Sequence, residues 1–335
     1  MNKTKLIFLL TSVAVILFVI NLFVETQNNR SHIGKEKQSS KAEIKKTVDL
    51  ILKDYALNKN WITKRKLKKK RDSLEYYYLV KIPSDLSTSV IVKELTKNFI
   101  DGDVELTVNE KNKSEETLVT FSSNGIAKFL LKFQYDNKLA RASSQISFII
   151  YNYNDLSLNE RSVLFKFAHP FGIVLPLEKG SIENATEIKS NKKEYFIDIT
   201  DNSDFMDFEL SNNSDIKKLT KNSNQIISFF NSPKYFFINS KTSGFNKLIK
   251  NYIIKKFAER GRIILLSENF TYLKGENIED LKSLLEFHLK NINPNDSKCF
   301  FIDAQDWFEV QNIITKFLKK GNKIISPNKF LIMSH

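Results

Sequence analysis

The feature that most constrains the fold is the rhythm of residues 145–330, where short apolar runs alternate with amphipathic segments. Strands that alternate with helices pair in parallel through right-handed crossovers. The apolar runs predict strands at Ile146–Tyr151, Gly172–Leu175, Tyr195–Ile199, Tyr235–Ile238, Arg262–Leu266, Cys299–Ile302 and Lys323–Ile325. Seven strands in roughly 190 residues suit a distorted seven-stranded (β/α) barrel, and an open doubly wound sheet is the alternative.

Helical spacing of apolar residues fills most of the intervals between these strands. The predicted helices are Leu158–Phe167, Asp215–Phe230, Lys247–Arg260, Ile278–Leu289 and Phe308–Lys320. Gly261 and Gly321 follow two of them, at the position where a left-handed cap residue is favoured. The fold class is therefore α/β.

A different pattern precedes this region. Residues 42–138 begin with apolar residues at helical spacing, followed by a β-branched and aromatic run at Tyr76–Ile82, a second helical pattern and three alternating segments typical of an antiparallel sheet. This pattern predicts a small α+β domain. Residues 26–41 are polar without apolar periodicity, which predicts a flexible spacer.

The first 25 residues contain an apolar run, 6–24, interrupted only by Thr11, Ser12 and Asn21. At 1.5 Å per residue the run spans about 29 Å, close to the thickness of a bilayer core. It predicts a transmembrane signal anchor, with a cleaved signal peptide as the alternative. Lys3 and Lys5 favour a cytoplasmic N-terminus and hence an extracytoplasmic body in a single-pass membrane protein.

The positive charge is concentrated near the N-terminus. Residues 1–75 hold 17 Lys and Arg against 7 Asp and Glu, and the densest cluster is 64–71. Such a cluster can bind anionic lipids, teichoic-type polymers or nucleic acid, but a solvated turn or edge strand is the favoured interpretation. Nucleic acid is an unlikely partner for a domain outside the cytoplasm. The single cysteine, Cys299, excludes an internal disulfide and is predicted to be an inert core thiol.

Four strings in residues 145–330 have an order and spacing that resemble a known family. They are Phe171-Gly-Ile-Val-Leu-Pro176, Ile238-Asn-Ser-Lys-Thr-Ser243, Phe300-Phe-Ile-Asp303 and Gly321-Asn-Lys-Ile-Ile-Ser-Pro327. With the predicted strand count, they resemble the divergent polysaccharide deacetylase family, a branch of the NodB-like deacetylases with a distorted (β/α)7 barrel. The resemblance implies hydrolysis of acetyl groups on a sugar polymer, with a divalent metal held by Asp and His.

Compared position by position, the chain lacks the metal ligands that the resemblance implies. Tyr151-Asn152 stands near the family's Asp-Asp pair, Ser240 stands where the family has a histidine, and Ser326 replaces a second one. Three residues match: Asn239, Ser243 and Asp303. With Ser240, they are the predicted ligand-binding residues, although Asn239 to Ser243 could instead cap the helix that begins near Asn246.

The remaining titratable residues offer weaker candidates. The four histidines lie at 32, 169, 288 and 335, away from the predicted strand ends where barrel chemistry occurs. Acidic residues follow the third strand, and Asp198 and Asp201 are weak candidates for a metal site built from oxygen ligands. A solvated loop is the favoured interpretation of that cluster. Asp155 and Asp198 are the weak catalytic candidates.

The sequence therefore predicts a membrane-anchored cell-envelope protein with a degenerate deacetylase-like domain that binds a glycan or a protein partner without catalysis. No cofactor is expected. One alternative is an active deacetylase with a divalent metal on an unusual ligand set, such as Asp155 with Asp198 or Asp201. Another is a structural envelope component in which the small domain makes the contacts.

Overall fold

The computed structural model describes residues 39–71, 74–100, 102–111, 116–201, 203 and 205–334. The chain divides into two compact units, Met1–Ala140 and Arg141–His335. Each unit has its own buried apolar clusters. They are called the first and the second unit below.

The first unit follows the order helix, two strands, helix, three strands. Its elements are α1 (Lys41–Asp54), β1 (Ile62–Arg71), β2 (Leu74–Ile82), α2 (Thr88–Phe99), β3 (Val104–Lys111), β4 (Glu116–Ser123) and β5 (Ile126–Tyr135). A capping box starts α1: the Ser40 side chain accepts from the Glu43 N–H, while the Glu43 carboxylate accepts from the Ser40 N–H. The following apolar residues, Ile44, Val48 and Ile51, share one buried face of the helix.

The strands of the first unit form a five-stranded sheet in the order β1-β2-β5-β4-β3. Only β2 and β5 pair in parallel, and the other pairs are antiparallel. Both helices bury their apolar faces on one side of this sheet, against residues such as Val80, Phe121 and Leu131. The basic segment 64–71 lies in β1, an edge strand, which is one of the two structures expected for it.

The second unit alternates strands with helices. Its strands are β6 (Gln145–Tyr151), β7 (Gly172–Pro176), β8 (Glu194–Asp198), β9 (Tyr235–Ile238), β10 (Ile263–Leu266), β11 (Thr271–Leu273), β12 (Ser297–Asp303) and β13 (Lys323–Ile324). Its helices are α3 (Leu158–Phe165), α4 (Ser181–Ser190), α5 (Ile216–Phe229), α6 (Lys247–Glu259), α7 (Ile278–Lys290), α8 (Asp306–Lys319) and α9 (Pro327–Ser334). Every strand pair is parallel.

Seven of these strands form one path, β10-β9-β8-β7-β6-β12-β11, and β13 pairs with β6 beside it. The path curls, because β9 and β12 are separated by three strands and yet the rings of Phe237 and Phe301 lie 5.2 Å apart. Phe270, between β10 and β11, has its ring 5.6 Å from Phe237 and 5.2 Å from Phe301. One side chain thus contacts residues near both ends of the path. The sheet fits a distorted (β/α) barrel, and the predicted α/β fold class is confirmed.

Side-chain alternation separates two cores in the second unit. In β6, Phe148 and Ile150 belong to the core under the helices, whereas Ile149 points into the interior of the curled sheet. A strand buried on both faces needs a continuous apolar run, which explains why these strands could be predicted from the sequence. Cys299 lies in the interior core, where burial raises the pKa of its thiol to about 12, as expected of an inert thiol.

Three elements of the second unit were not predicted. β11 has only three residues, too few to show a period-two pattern. α4 has few apolar residues, and only Ser181, Ala185 and Ile188 are buried. α9 starts at Pro327, which suits the first turn of a helix because proline lacks the N–H that would have no partner there.

The prediction of a single-pass membrane protein is contradicted. Within the part of the chain that the structure describes, no helix is both long and apolar enough to cross a bilayer. The longest described helices have 14 residues, and such a helix rises about 21 Å against a hydrocarbon core of about 30 Å. The predicted anchor, 6–24, lies outside the described residues. The membrane localisation is therefore withdrawn.

Candidate functional site

A cavity of about 440 Å³ opens at the carboxyl ends of the parallel strands of the second unit. It is called the mouth cavity below. Side chains from successive strand ends converge at this edge of parallel α/β folds, which is where such folds bind ligands. The lining residues are Tyr151, Asn152, Asn154, Asp155, Val174, Pro176, Glu178, Asp198, Phe237, Ser267, Tyr272 and Phe301.

The apolar part of the mouth cavity is aromatic. Phe237 and Phe301 are fully buried and belong to the interior core of the curled sheet. Tyr272 stacks on Phe301 at a ring distance of 5.0 Å and remains 39% exposed. Tyr151 lies 5.8 Å from Tyr272, and burial, followed by the charges of Asp303 and Asp306, raises the pKa of Tyr151 to about 12. Both tyrosines keep their phenol protons at neutral pH and can donate hydrogen bonds.

The segment after β6 supplies an amide-rich wall. Asn152 has a left-handed backbone, φ 57°, and its side chain donates to Asp303 Oδ2 at 2.7 Å. The Asn154 amide donates to Glu178 Oε1 at 2.5 Å and accepts from Asn184 at 2.8 Å. These hydrogen bonds fix the amides before any ligand arrives, so the wall is preorganised.

Asp198 ends β8 and is the most unusual group at the mouth cavity. Its Oδ1 atom is buried and has no hydrogen-bond partner among the described residues. Burial, reinforced by the negative charge of Glu268, raises the pKa of Asp198 to about 7. A buried polar atom without a partner is costly. Asp198 can therefore present either a proton or a charge to a ligand near neutral pH.

Glu268 lies in the short 3-10 turn after β10 and behaves in the opposite way. Burial acts to raise its pKa, but hydrogen bonds from Ser240 and the charge of Lys250 outweigh that effect, and the pKa is lowered. The Ser240 N–H donates to Glu268 Oε2 at 3.3 Å, and Lys250 Nζ donates to Ser240 Oγ at 3.1 Å. Two carboxyl groups that influence each other thus have pKa values shifted in opposite directions.

The other predicted ligand residues lie in loops next to the mouth cavity and do not line it. Asn239 accepts from the Lys241 N–H through its own side chain. Ser243 is fully buried, and its carbonyl accepts from the Asp201 N–H at 3.0 Å. The helix α6 is capped instead by Asn246, whose side chain accepts from the Ile249 N–H. Of the predicted site residues, Asp155 and Asp198 line the mouth cavity, and Asp303 reaches its wall through Asn152.

The residues at this edge do not fit the divalent metal that the family resemblance implies. The described part of the chain has no group of three or more His, Cys, Asp or Glu placed to hold a metal ion. Where the resemblance expects a histidine, the Ser240 hydroxyl already accepts from the ammonium group of Lys250. Ser326 accepts from the Lys329 N–H at the start of α9. A serine next to a lysine cation is a poor ligand for a second cation, so the described donor set supports no metal-dependent step.

Ten of the twelve lining residues lie outside the predicted catalytic, ligand-binding and metal residues, among them Glu178, Ser267 and the amide of Asn154. Glu178 and Ser267 each follow a predicted strand within a few residues, a position that signals the carboxyl edge of a parallel sheet. Tyr272 lies in the three-residue strand β11, shortly after the predicted strand Arg262–Leu266, and aromatic residues near strand ends can stack on sugar rings. Glu268, whose negative charge reinforces burial in raising the pKa of Asp198, also lies directly after a predicted strand.

Comparison with known proteins gives matches only to solved structures: no family model and no curated protein matches the chain. A family 4 carbohydrate esterase pseudoenzyme from Bacillus anthracis has 10% identity and a TM-score of 0.34, over 71% of this chain and 93% of that one. A mutant of that pseudoenzyme with restored enzymatic activity has 11% identity and a TM-score of 0.38, over 71% and 96%. PdaA of Bacillus subtilis, a family 4 carbohydrate esterase, has 11% identity and a TM-score of 0.35, over 58% and 82%.

These solved structures are what the chain is similar to. Identities of 10–11% and TM-scores of 0.34–0.38 decide neither the ligand nor the activity of this chain. Those depend on the residues at the mouth cavity.

Proposed function

We propose that the mouth cavity binds a glycan and does not hydrolyse its acetyl groups. The single observation that carries this proposal is the partly exposed ring of Tyr272 next to the preorganised amides of Asn152 and Asn154. A sugar ring has an apolar C–H face and an edge of hydroxyl groups. An aromatic face beside fixed amide and carboxyl groups complements both.

The described side chains near the mouth cavity do not provide the ligands that metal-assisted hydrolysis needs. A metal-assisted deacetylation needs a cation that polarises the acetyl carbonyl and activates water. Lys250 and Ser240 stand where a metal ligand is implied, and the described residues offer no alternative cluster. The remaining groups can orient a sugar through hydrogen bonds but lack the electrophile.

Calorimetric titration of a chitooligosaccharide tests binding at this cavity. Replacement of Tyr272 by Ala should weaken binding about tenfold, equivalent to ~1.4 kcal/mol, because a stacking face is lost. The matched control is Phe287→Ala, since Phe287 is an exposed aromatic of the same unit that does not line the cavity. Equal affinity in wild type and Tyr272→Ala would refute glycan binding at the mouth cavity.

One observation favours the enzymatic alternative. Asp198, with its unpartnered buried oxygen and a pKa of about 7, lines the same cavity as Asp155. A carboxyl with a pKa near neutrality suits general acid–base catalysis. If the chain is an enzyme, acetate release from a chitooligosaccharide should fall at least tenfold in Asp198→Asn. Release that is equal to a protein-free blank in the wild type would remove this alternative.

A further inference from the structure

A second concave surface lies in the first unit, between α1 and the edge strand β1. It has a volume of about 790 Å³, within the range of ligand-binding clefts. Ile62 and Lys64 line it, and residues two apart in a strand share one face of the sheet. The surface therefore lies over the sheet face beside α1. It is called the basic groove below.

The floor of the basic groove is apolar. Leu57 is buried, Ile62 is half-buried, and Tyr78 of β2, which is opposite Lys64, also lines the groove. Leu50 of α1 also lines the groove and is 55% exposed, although Leu is usually buried in a helix that packs on a sheet. An occupant with apolar side chains would remove this surface from water.

The rim of the basic groove is cationic. Five lysines line it against one acidic residue, Asp49. Asp49 pairs with Lys45 at 2.5 Å. Within the described part of the chain, Lys46, Lys53 and Lys59 have no ion pair. Lys64 lies over the ring of Tyr76, at 4.2 Å. Most of the rim therefore has positive charge that no described carboxylate neutralises.

The shape of the floor selects among anionic occupants. Nucleic acids bind basic grooves by stacking bases on exposed aromatic rings. The ring of Tyr78 is already stacked on Phe129 at 5.0 Å, and the Lys45 ammonium lies over it at 5.7 Å. The Tyr78 ring is therefore already engaged by Phe129 and Lys45. The aliphatic side chains of the floor, of which Leu50 is the most exposed, instead fit apolar amino-acid side chains.

We propose that the basic groove binds an acidic, amphipathic segment of a protein partner. Its apolar side chains would lie on Leu50, Leu57 and Ile62, and its carboxylates would pair with the rim lysines. Lys46 and Lys53 are seven residues apart on α1, two helical turns or about 10 Å, and carboxylates seven residues apart on a helical segment match that spacing. This partner is independent of the glycan proposed for the mouth cavity.

Fluorescence anisotropy of a labelled peptide on the full-length chain tests the proposal. The probe is a peptide of about 15 residues with Leu at helical spacing and Glu at the other positions. The double substitution Lys46→Glu and Lys53→Glu should weaken its binding at least tenfold. The matched control is Lys217→Glu with Lys221→Glu, two exposed lysines of α5 that change the net charge equally, and it should change affinity less than twofold.

A second variant and two competitors separate the possible outcomes. Leu50→Ser should weaken the peptide severalfold without a change of charge, because Leu50 is exposed and its replacement leaves the core intact. A peptide with Ser in place of Leu should bind at least tenfold more weakly. If single-stranded oligothymidylate displaces the peptide at equal concentration, the groove is a general polyanion site and the proposal fails. It also fails if both double substitutions weaken the peptide equally.

Discussion

The mouth cavity and the basic groove differ in how their walls are made and in the charge they present. The mouth cavity forms where a sheet curls on itself, so its floor is the aromatic interior of that sheet, with Phe237 and Phe301. The basic groove forms beside the edge strand of an open sheet, where α1 leaves part of one face uncovered. The curled sheet thus forms an aromatic, acidic cavity, and the edge strand borders a cationic groove.

The two surfaces therefore select different ligands, a neutral sugar at the mouth cavity and an anionic peptide at the basic groove. Among the residues that the structure describes, the buried Oδ1 atom of Asp198 at the mouth cavity has no hydrogen-bond partner, and most lysines of the groove have no carboxylate partner. An anionic peptide is repelled by the first, and a neutral sugar gains little from the second. The stability, pH dependence and ligand binding of each unit can be tested separately.

The largest expected effect is on the interior of the curled sheet. Phe301→Ala should lower the free energy of unfolding of the second unit by about 3–5 kcal/mol, because Phe301 is 1% exposed and packs on three aromatic rings. Urea unfolding followed by Trp307 fluorescence in a Trp61→Phe background measures it. The control, Phe287→Ala, should cost less than about 0.5 kcal/mol. A loss below about 1 kcal/mol for Phe301→Ala would mean that the sheet is not closed around this residue.

The two units should also differ in the sign of a pH effect. The folded pKa of Asp198, about 7, lies above the ordinary value, so its contribution to stability falls as pH rises from about 4 to 7. Asp198→Asn should remove this fall. Between pH 5 and pH 8, the free energy of unfolding of the variant should therefore rise by on the order of 3 kcal/mol relative to that of the wild type. Unfolding free energies at the two pH values measure the difference, and an unchanged difference would contradict the burial of Asp198.

Asp103 of the first unit provides the opposite case. Hydrogen bonds from Ser39, and a weaker one from Ser123, lower the pKa of Asp103 to about 2. Its contribution to stability is present above the unfolded pKa near 4 and is lost as pH falls through 2. Asp103→Asn should therefore destabilise the first unit at pH 7 and have little effect at pH 2. Trp61 fluorescence follows this unit, and equal destabilisation at both pH values would exclude the linkage.

The fold could be predicted from the sequence wherever one strand carried its own signal. Strands buried on both faces, such as β6 and β9, need continuous apolar runs, and those runs were visible. β11 escaped because pairing with β12, rather than its own three residues, makes it a strand. The curl of the sheet was predicted through the strand count and the family resemblance. The contacts between Phe237, Phe270 and Phe301 could not be predicted, because these residues lie far apart in the sequence.

The candidate site was predictable only in part, for the same reason. Asp155 and Asp198 follow predicted strands and could be placed at the carboxyl edge. The influence of Glu268 on Asp198 joins residues 70 positions apart, and no local pattern reports it. The pairing of Ser240 with Lys250 could not be predicted either, although Ser240 stands where the family resemblance implies a histidine.

Salt should separate the two binding surfaces. Peptide binding at the basic groove should weaken roughly three- to tenfold between 50 and 300 mM NaCl, because ion pairs at an exposed rim are screened. Glycan binding at the mouth cavity should change less than about twofold, since neutral sugars carry no charge to screen. Titrations of both probes at the two salt concentrations check this. Equal salt dependence at both sites would break the comparison.

The smallest expected effect is the loss of a helix N-cap, which can be tested in both units. Ser40 and Ser157 each begin a helix with a capping box, α1 in the first unit and α3 in the second. Ser40→Ala and Ser157→Ala should each cost about 1 kcal/mol in their own unit, because a helix N–H loses its acceptor. Trp61 and Trp307 fluorescence distinguish the two unfolding transitions. If each substitution lowered the free energy of unfolding in both transitions, the two units would unfold as one.

The most direct test of the account is saturation-transfer NMR of an N-acetylated chitooligosaccharide with the full chain, recorded with and without EDTA. The account predicts saturation of the sugar ring protons that EDTA does not change and that Tyr272→Ala reduces, with no free acetate signal appearing. Acetate that accumulates only without EDTA, or ring saturation that Tyr272→Ala leaves unchanged, would contradict a metal-independent glycan site at the mouth of the curled sheet.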